Sequence, residues 1–119
     1  MYVEPTRISG CIRIGTSLLE DDRGFFLETQ RQSVLADVLG REHRFAQTNH
    51  SRSRANVLRG FHAEAWDKLI YVVRGRALVV IADIRPDSPT FGQHERFELG
   101  DPPGKRDRVF VAKGLANAF

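Results

Sequence analysis

This chain has a single cysteine and no long apolar run, and these two features exclude a disulfide-stabilised fold and a membrane-spanning helix. Cys11 is the single cysteine among 119 residues, so no disulfide can form within the chain, as is usual in a reducing compartment. No apolar run approaches the ~20 residues that cross a membrane, and the N-terminal residues lack the apolar core of a signal peptide. We therefore expect a cytoplasmic protein with no membrane partner.

Several motifs with well-understood chemistry are also missing. The sequence has no GxGxxG or P-loop motif to cradle a nucleotide, and no GxSxG nucleophile elbow. Cys11 has no evident partner that would activate its thiol. His62 and Glu64 offer two metal ligands, whereas a zinc or iron site requires three or four, so we expect no metal.

The charge of the chain is modestly positive. Eighteen Lys and Arg oppose 15 Asp and Glu, which gives a net charge of +3 and a pI near 9.5. The arginines are scattered along the chain, as is typical of a solvated surface. The alternative is an anionic ligand, and a phosphate-bearing small molecule fits better than a nucleic acid, so we expect no nucleic-acid partner.

The pattern of short apolar segments predicts one domain, residues 1–119, of the all-β class. Turns rich in Gly, Pro and Asp, such as GDPPGKRD at 100–107, separate them. This favours a sandwich or jelly roll over an alternating α/β fold. The chain stops at Phe119 within an apolar run, so we expect either a closing strand or a domain truncated at its C-terminus. The predicted strands are Gly10–Ile14, Phe25–Glu28, Gln93–Leu99 and Val109–Val111.

One short helix is predicted over Arg31–Leu39. Its apolar residues recur at helical spacing, and Gly40 stands at the position of a helix C-cap.

The stretch Val57–Arg85 organises the rest of the chain. The apolar runs Leu69–Val73 and Ala77–Ile84 flank Arg74-Gly75-Arg76, which predicts an antiparallel hairpin. RPDSPTFG, residues 85–92, then ends the strand in a loop. Ahead of the predicted hairpin lies a compact polar group, more than a β core requires: Arg59, His62, Glu64 and Lys68.

A further strand is predicted over Arg44–Ser51. Phe45, Gln47, Asn49 and Ser51 would share one face of it. An inward-facing pair of amides, Gln47 and Asn49, indicates a lined cavity; the alternative is a polar edge strand.

The polar group ahead of the hairpin contains the tools for removing a proton next to a carbonyl. His62 is a possible general base near neutral pH, and Lys68 a possible cation for the enolate oxygen. The fork of Arg59 matches phosphate oxygens. The alternative for each is an ordinary surface or structural residue.

These residues belong to an ordered series of motifs that covers nearly the whole chain. The series resembles the dTDP-4-dehydrorhamnose 3,5-epimerase family. The motifs of the series are DRGFFxE from Asp22, QxNHS from Gln47, VLRGFH from Val57, KL from Lys68, ADIR from Ala82 and SPTFG from Ser88.

The resemblance implies a cupin-type jelly roll that inverts carbons 3 and 5 of a dTDP-linked 4-keto-6-deoxy sugar without a metal or an organic cofactor, usually as a homodimer. By match of motif, His62 is the base and Lys68 stabilises the enolate, while Asp83 has a supporting electrostatic role. The other matched residues bind the nucleotide sugar. Arg59, Gln47 and Asn49 hold the sugar and diphosphate, and Arg23 and Glu28 bind the nucleotide across the dimer interface.

The chain departs from the family pattern in two places. Asn117 stands where many members have a pocket histidine, and we expect it to bind substrate as a neutral amide. The family's proton-donating tyrosine and the carboxylate that pairs with its base are expected beyond Phe119, and neither Tyr2 nor Tyr71 matches that tyrosine. The alternative function is therefore a catalytically impaired cupin that binds a nucleotide sugar without turnover.

Overall fold

A computed structural model of the chain describes residues 1–101 and 106–119. Most of the predicted loop GDPPGKRD lies outside the described residues. The chain divides into two compact units, Met1–Leu27 with Leu58–Phe119 and Glu28–Val57. The single domain expected for residues 1–119 stays a prediction.

The first unit is a jelly-roll sandwich of antiparallel strands, which confirms the predicted fold class. Within the described residues, one sheet has the order β1-β2-β9-β6, the other has the order β5-β10-β7-β8, and β3 pairs with β4. The strands are β1 (Tyr2–Pro5), β2 (Cys11–Gly15), β3 (Leu19–Asp21), β4 (Gly24–Phe26), β5 (His62–Ala63), β6 (Lys68–Tyr71), β7 (Arg76–Ala82), β8 (His94–Gly100), β9 (Arg108–Val111) and β10 (Ala116–Ala118).

The hydrophobic core lies between the two four-stranded sheets. Val109 and Val111 of β9 face Val79 and Ile81 of β7, and none of the four is more than 1% exposed. These residues alternate along their strands, as a two-layer sandwich requires. Each fully buried side chain of this size contributes about 1.5–3 kcal/mol. The strands predicted at Gly10–Ile14, Gln93–Leu99 and Val109–Val111 are confirmed as β2, β8 and β9, and the segment predicted at Phe25–Glu28 forms the shorter β4.

The predicted hairpin of Leu69–Val73 with Ala77–Ile84 is wrong. Strand β6 pairs with β9, and β7 pairs with β8 and β10, so the two runs belong to opposite sheets. The turn between them is fixed by Asp101, whose amide donates to the Gly75 carbonyl at 2.7 Å and whose carboxylate accepts from the Gly75 amide at 2.8 Å. The sequence marks the turn, but local spacing does not show that the chain crosses between sheets there.

The second unit contains the helix α1, Gln32–Leu39, which confirms the predicted helix. Gly40 ends it in the left-handed conformation with φ of 63°, and the amides of Gly40 and Arg41 bond to the last helical carbonyls. Leu35 is its buried residue. No helix in the described part of the chain has the length and apolar character to span a bilayer.

The strand predicted over Arg44–Ser51 is wrong. The segment has no regular structure, and most of its side chains are exposed. The amides do meet, since Gln47 Nε2 donates to Asn49 Oδ1 at 2.9 Å. Alternation alone cannot make a strand where no neighbouring strand supplies the ladder of backbone hydrogen bonds.

The loop after β7 is built around the carboxylate of Asp83, which is 1% exposed. Arg85 donates to it from Nε at 2.8 Å and Nη2 at 2.7 Å. The hydroxyls of Ser88 and Thr90 donate to it at 2.5 and 2.6 Å. These donors, Arg85 first, hold the pKa of the Asp83 carboxyl well below its usual range. The predicted loop at 85–92 is therefore confirmed, and it is closed around one buried charge.

We predict that Asp83→Asn lowers the free energy of unfolding at pH 7 by about 3 kcal/mol, because it breaks a buried ion pair. We choose the lower end of the range because the Arg85 side chain keeps 28% exposure. A depressed native pKa stabilises the fold fully above the unfolded value of about 3.9 and loses this effect as the pH falls toward the native pKa. The difference between wild type and variant should therefore shrink below about pH 4.

Chemical denaturation at pH 7 and at pH 3 measures both effects. Asp87→Asn is the matched control, since Asp87 is an exposed carboxylate in the same loop. An equal loss of stability in the two variants would contradict this account of the loop.

Candidate active site

Strands β5 and β6 lie at the edges of the two facing sheets and are joined by the short segment Glu64–Asp67. This segment is tied to the turn between β9 and β10. The Gly114 amide donates to the Glu64 carbonyl, and the Lys113 amide donates to the Asp67 carboxylate, both at 2.8 Å. The first residue of β5 and the first residue of β6 are thereby fixed relative to β10.

The strand register puts the predicted base and the predicted cation on the facing sides of the two sheets. His62 of β5 is opposite Asn117 of β10, which is itself opposite the core residue Ile81 of β7. Residues directly opposite each other share a face of the sheet, so His62 and Asn117 lie on the inner face. In the other sheet, Lys68 is opposite the core residue Val111. Lys68 therefore faces inward from the opposite layer.

Lys68 and Asn117 meet between the sheets. Lys68 Nζ donates to Asn117 Oδ1 at 2.5 Å and lies 3.4 Å from the His62 carbonyl oxygen. Asn117 is buried and Lys68 is half-buried. Burial lowers the pKa of the Lys68 ammonium, and the Glu64 carboxylate opposes that shift. The His62 side chain is exposed, and within residues 1–101 and 106–119 its ring has no hydrogen-bond partner.

Arg59 lies on the same segment as His62. Its amide donates to the Phe119 carbonyl at 2.7 Å, and the Phe119 amide donates back to the Arg59 carbonyl at 2.9 Å. The next paired position along the segment is His62 with Asn117. Between these two pairs, Gly60 and Phe61 stand opposite Ala118 alone, so the segment forms a β-bulge. The bulge puts Gly60, at φ of +136°, against β10: a Cβ there would lie 2.6 Å from the Ala118 Cβ. Only glycine fits this approach.

The other predicted site residues have different surroundings. The Asp83 carboxylate is occupied by its own loop, and among the described residues no hydrogen bond joins it to His62 or Lys68. Arg23 lies in the exposed turn between β3 and β4, where Asp21 accepts from its Nε at 3.1 Å. Glu28 belongs to the second unit and accepts from Arg31 at 2.7 and 2.6 Å. Gln47 and Asn49 belong to that unit as well.

The two tyrosines are engaged elsewhere. Tyr71 is in β6, three residues after Lys68, and therefore faces the opposite side of the sheet. Its ring packs 5.1 Å from the guanidinium carbon of Arg108. The Tyr2 hydroxyl donates to Asp107 at 3.3 Å.

A buried polar cluster around Asp107 and Arg108 was not predicted. Asp107 is 2% exposed and accepts from Arg13 Nε at 2.7 Å, while Arg108 is 1% exposed and donates to Thr16 at 3.0 Å. In the sequence, Arg106-Asp107-Arg108 has the composition of a polar loop. Its partners are more than 90 residues away, so local pattern carries no signal for it.

The described residues offer little support for metal-dependent or thiol-dependent chemistry. No group of three or more His, Cys, Asp or Glu residues there is arranged to hold a metal ion. Burial raises the pKa of the Cys11 thiol to about 11. Such a thiol carries almost no thiolate at neutral pH.

The sandwich topology and this group of side chains define a class: a cupin-type jelly roll with an imidazole, an ammonium and an amide near the edges of its two sheets. The chain belongs to the dTDP-4-dehydrorhamnose 3,5-epimerase family, whose model matches residues 5–119.

Relatives of known sequence and structure agree with this family. The chain is 37% identical to dTDP-4-dehydrorhamnose 3,5-epimerase of Salmonella typhimurium, an alignment that covers all of this chain and 66% of that protein. It superposes on the Legionella pneumophila enzyme in complex with dTDP-4-keto-L-rhamnose with a TM-score of 0.89 at 35% identity, covering 99% of this chain and 63% of that one. A 3′-monoepimerase from Streptomyces bikiniensis in complex with dTDP-quinovose also matches, with a TM-score of 0.89 at 30% identity, over 97% and 59% of the chains. The chain thus spans somewhat less than two thirds of the length of these relatives.

We predict that Gly60→Ala displaces β5 from β10. Gly24→Ala is the matched control, because Gly24 has a similar φ of +130° but a Cβ there would meet nothing within 4 Å. Gly24→Ala should cost about 1–3 kcal/mol of strain alone. Gly60→Ala should cost about 1–3 kcal/mol more, because the added Cβ overpacks the contact with Ala118. Thermal unfolding compares the two, and equal losses would show that β5 does not need this close approach.

Proposed function

We propose that this chain supplies the base and the oxyanion-stabilising cation of an epimerase that acts next to the ketone of a dTDP-linked 4-keto-6-deoxyhexose. The reaction converts dTDP-4-dehydro-6-deoxyglucose toward dTDP-4-dehydrorhamnose, with inversion at carbon 3, carbon 5 or both. The observation that carries the proposal is the convergence of His62 and Lys68 from facing sheets on one buried amide, Asn117.

Family membership supports the substrate class. The Legionella relative is bound to dTDP-4-keto-L-rhamnose, and the Streptomyces bikiniensis relative to dTDP-quinovose. Because the first is a 3,5-epimerase homologue and the second a 3′-monoepimerase, both outcomes occur among folds like this one. The proposal therefore leaves open inversion at carbon 3, at carbon 5 or at both.

The chemistry needs one base and one stabilising charge. The His62 imidazole takes the proton from the carbon next to the ketone, and the electron pair of the broken C–H bond moves to the carbonyl oxygen. The resulting enolate oxygen is negative, and the Lys68 ammonium stabilises it. Reprotonation by His62 restores the starting configuration, whereas a proton added by a second donor on the opposite face inverts the centre and leaves the first proton on His62 to exchange with solvent. Ammonium stabilisation matters more here than in water because Lys68 is partly withdrawn from solvent.

The opposite-face acid is assigned to neither tyrosine of this chain. Tyr2 donates to Asp107, and Tyr71 faces away from Lys68. Exchange of the substrate proton with solvent needs only His62 and Lys68, whereas inversion needs a second proton donor. The two readouts therefore test different parts of the machinery.

Binding of the nucleotide sugar is assigned to five residues of the matched motifs. Arg59 lies on the same segment as His62 and would hold the diphosphate with its guanidinium. Arg23 and Glu28 would contact the nucleotide; each now pairs with a neighbour, Asp21 or Arg31. Such exposed pairs are weak, so the nucleotide can replace Asp21 at Arg23. The remaining two, Gln47 and Asn49, would contact the sugar.

The exposed β3–β4 hairpin supports the predicted homodimer. Leu19 and Phe26 are 67% and 69% exposed on it, next to Arg23. Apolar side chains exposed together are typical of an interaction surface. A second copy that covered them would lie next to Arg23, as the predicted binding of the nucleotide across the dimer interface requires. The homodimer and the cytoplasmic location both stay predictions.

We predict that the chain, incubated with dTDP-4-keto-6-deoxyglucose in D₂O, loads deuterium at carbon 3, carbon 5 or both. His62→Ala should reduce the exchange rate by about 10²–10⁴-fold, because a positioned general base typically contributes that much. Lys68→Met should reduce it by about 10²–10³-fold, through loss of the oxyanion partner. NMR or mass spectrometry of the recovered sugar measures the exchange.

The control variant is His94→Ala, since His94 starts β8 and is exposed in the strand farthest from β5 in its sheet. It should exchange at the wild-type rate. Folded wild-type protein that binds dTDP but loads no deuterium would instead establish a nucleotide-sugar binder without turnover. Full exchange by His62→Ala would place the base elsewhere.

A further inference from the structure

We propose that Asn117 is a positioning residue for Lys68: its carboxamide oxygen fixes the direction of the ammonium and leaves the positive charge uncompensated. The inference deepens the proposed function and rests on it for the role of Lys68. It gives Asn117 a task distinct from the substrate contact expected from the sequence.

Both partners of this hydrogen bond are held by paired backbone. Asn117 is the middle residue of β10, the strand between β5 and β7, and it is 4% exposed. Lys68 is paired with Val111 of β9 in the opposite sheet. The 2.5 Å bond from Lys68 Nζ to Asn117 Oδ1 therefore bridges the two layers of the sandwich at their open edge. A flexible lysine side chain is thereby held in one direction.

The chemistry of the two groups fixes the orientation of the amide. An ammonium only donates hydrogen bonds, so the carboxamide must turn Oδ1 toward it and Nδ2 away. Across the described part of the chain, the Asn117 Nδ2 makes no hydrogen bond to another side chain or to the backbone. One side chain thus orients the cation with its oxygen and keeps two N–H donors available for an oxygen of the ligand.

A neutral acceptor suits a cation that must stabilise an anion. A carboxylate at this position would neutralise the ammonium and raise its pKa, and a histidine would add a second titrating group near neutral pH. The amide does neither, so the positive charge of the Lys68 ammonium stays available to an anionic oxygen of the ligand. Burial lowers the pKa of the Lys68 ammonium, and the nearby Glu64 carboxylate acts in the opposite direction.

Other charged groups near these strands are turned away or occupied. Asp67 accepts from the Lys113 amide, and Asp83 is held by Arg85. Arg108 of β9 lies on the opposite face from Val111 and Lys68. The other residues of β10 are alanines. Asn117 is thus the side-chain acceptor that, together with the His62 carbonyl oxygen at 3.4 Å, orients the ammonium without neutralising its charge.

The test is Asn117→Asp, which keeps the size and the acceptor but adds a negative charge. We expect the pKa of Lys68 to rise and the deuterium exchange rate to fall by about 10²–10³-fold, the usual effect of losing one oxyanion donor. Asn117→His keeps a neutral acceptor above the pKa of its imidazole. It should restore much of the rate there and add a second ionisation to the acid limb of the pH profile.

The pKa of Lys68 can be followed directly by NMR of ¹³C-labelled lysine, because the chain has three lysines, Lys68, Lys105 and Lys113. In the unmodified protein, the Asn117 side-chain amide should shift as Lys68 titrates, and Lys68→Met should abolish that shift. This measurement needs no substitution at Asn117, so it decides the question even where Asn117→Asp does not fold.

Wild-type exchange by Asn117→Asp with an unchanged Lys68 pKa would overturn the inference and leave Asn117 a residue that only fills space. An Asn117 amide that ignores the titration of Lys68 would overturn it as well. Failure of the proposed function reads differently: the wild type would show no exchange, while the coupled titration of Lys68 and Asn117 would still be seen.

Discussion

Strand β10 is the constraint on which the arrangement of His62, Lys68 and Asn117 depends, because it is hydrogen-bonded to a strand on each side. β7 on one side belongs to the hydrophobic core, and β5 on the other carries His62 at the edge of the sheet. The register with β7 sends Asn117 inward at the level of Ile81, and the register with β5 places His62 beside it. A slip of one residue would turn both side chains to the outer face and leave Lys68 facing a methyl group. The chemistry therefore depends on a strand of three residues whose outer two are alanines.

Small residues on β10 make this arrangement possible. Gly60 packs directly on Ala118, and a larger residue at either position would push the His62 segment away from the sheet. The segment Glu64–Asp67 then crosses to the other layer and delivers Lys68 from β6. The bulge is set by backbone contacts, and the crossing by backbone contacts and the Asp67 carboxylate, rather than by His62 or Lys68. An exposed His62 and a half-buried Lys68 can therefore be polar without weakening the core that holds them.

The sequence predicts the parts of this structure that depend on neighbours along the chain. Helix α1 has its apolar spacing and Gly40 in adjacent turns, and strands β2, β8 and β9 show their own alternation. The two wrong predictions, the hairpin after Lys68 and the strand over Arg44–Ser51, both required knowledge of pairing partners. The first run pairs with β9, about 40 residues later in the chain. The second has no partner strand in the described residues.

The residues of the candidate site could be predicted where they belong to motifs of the family. His62, Lys68 and Asn117 were marked by the family resemblance, and the structure brings them together. The hydrogen bond between Lys68 and Asn117 spans 49 positions of sequence and links two sheets, so no local pattern announces it. Asp83 shows the reverse case. Its motif matches, but its carboxylate is saturated by Arg85, Ser88 and Thr90, a loop role that residue identity does not reveal.

The central claim is that His62 and Lys68 act on one ligand from facing sheets, and a titration with an unreactive ligand tests it most directly. A dTDP-linked 6-deoxyhexose with a hydroxyl in place of the ketone has no acidic C–H to lose, so it should bind without reacting. The account predicts that the NMR signals of the His62 imidazole and the Lys68 ε-carbon shift together, with one dissociation constant. A ligand that moves only one of them, or moves them with different dissociation constants, would contradict it.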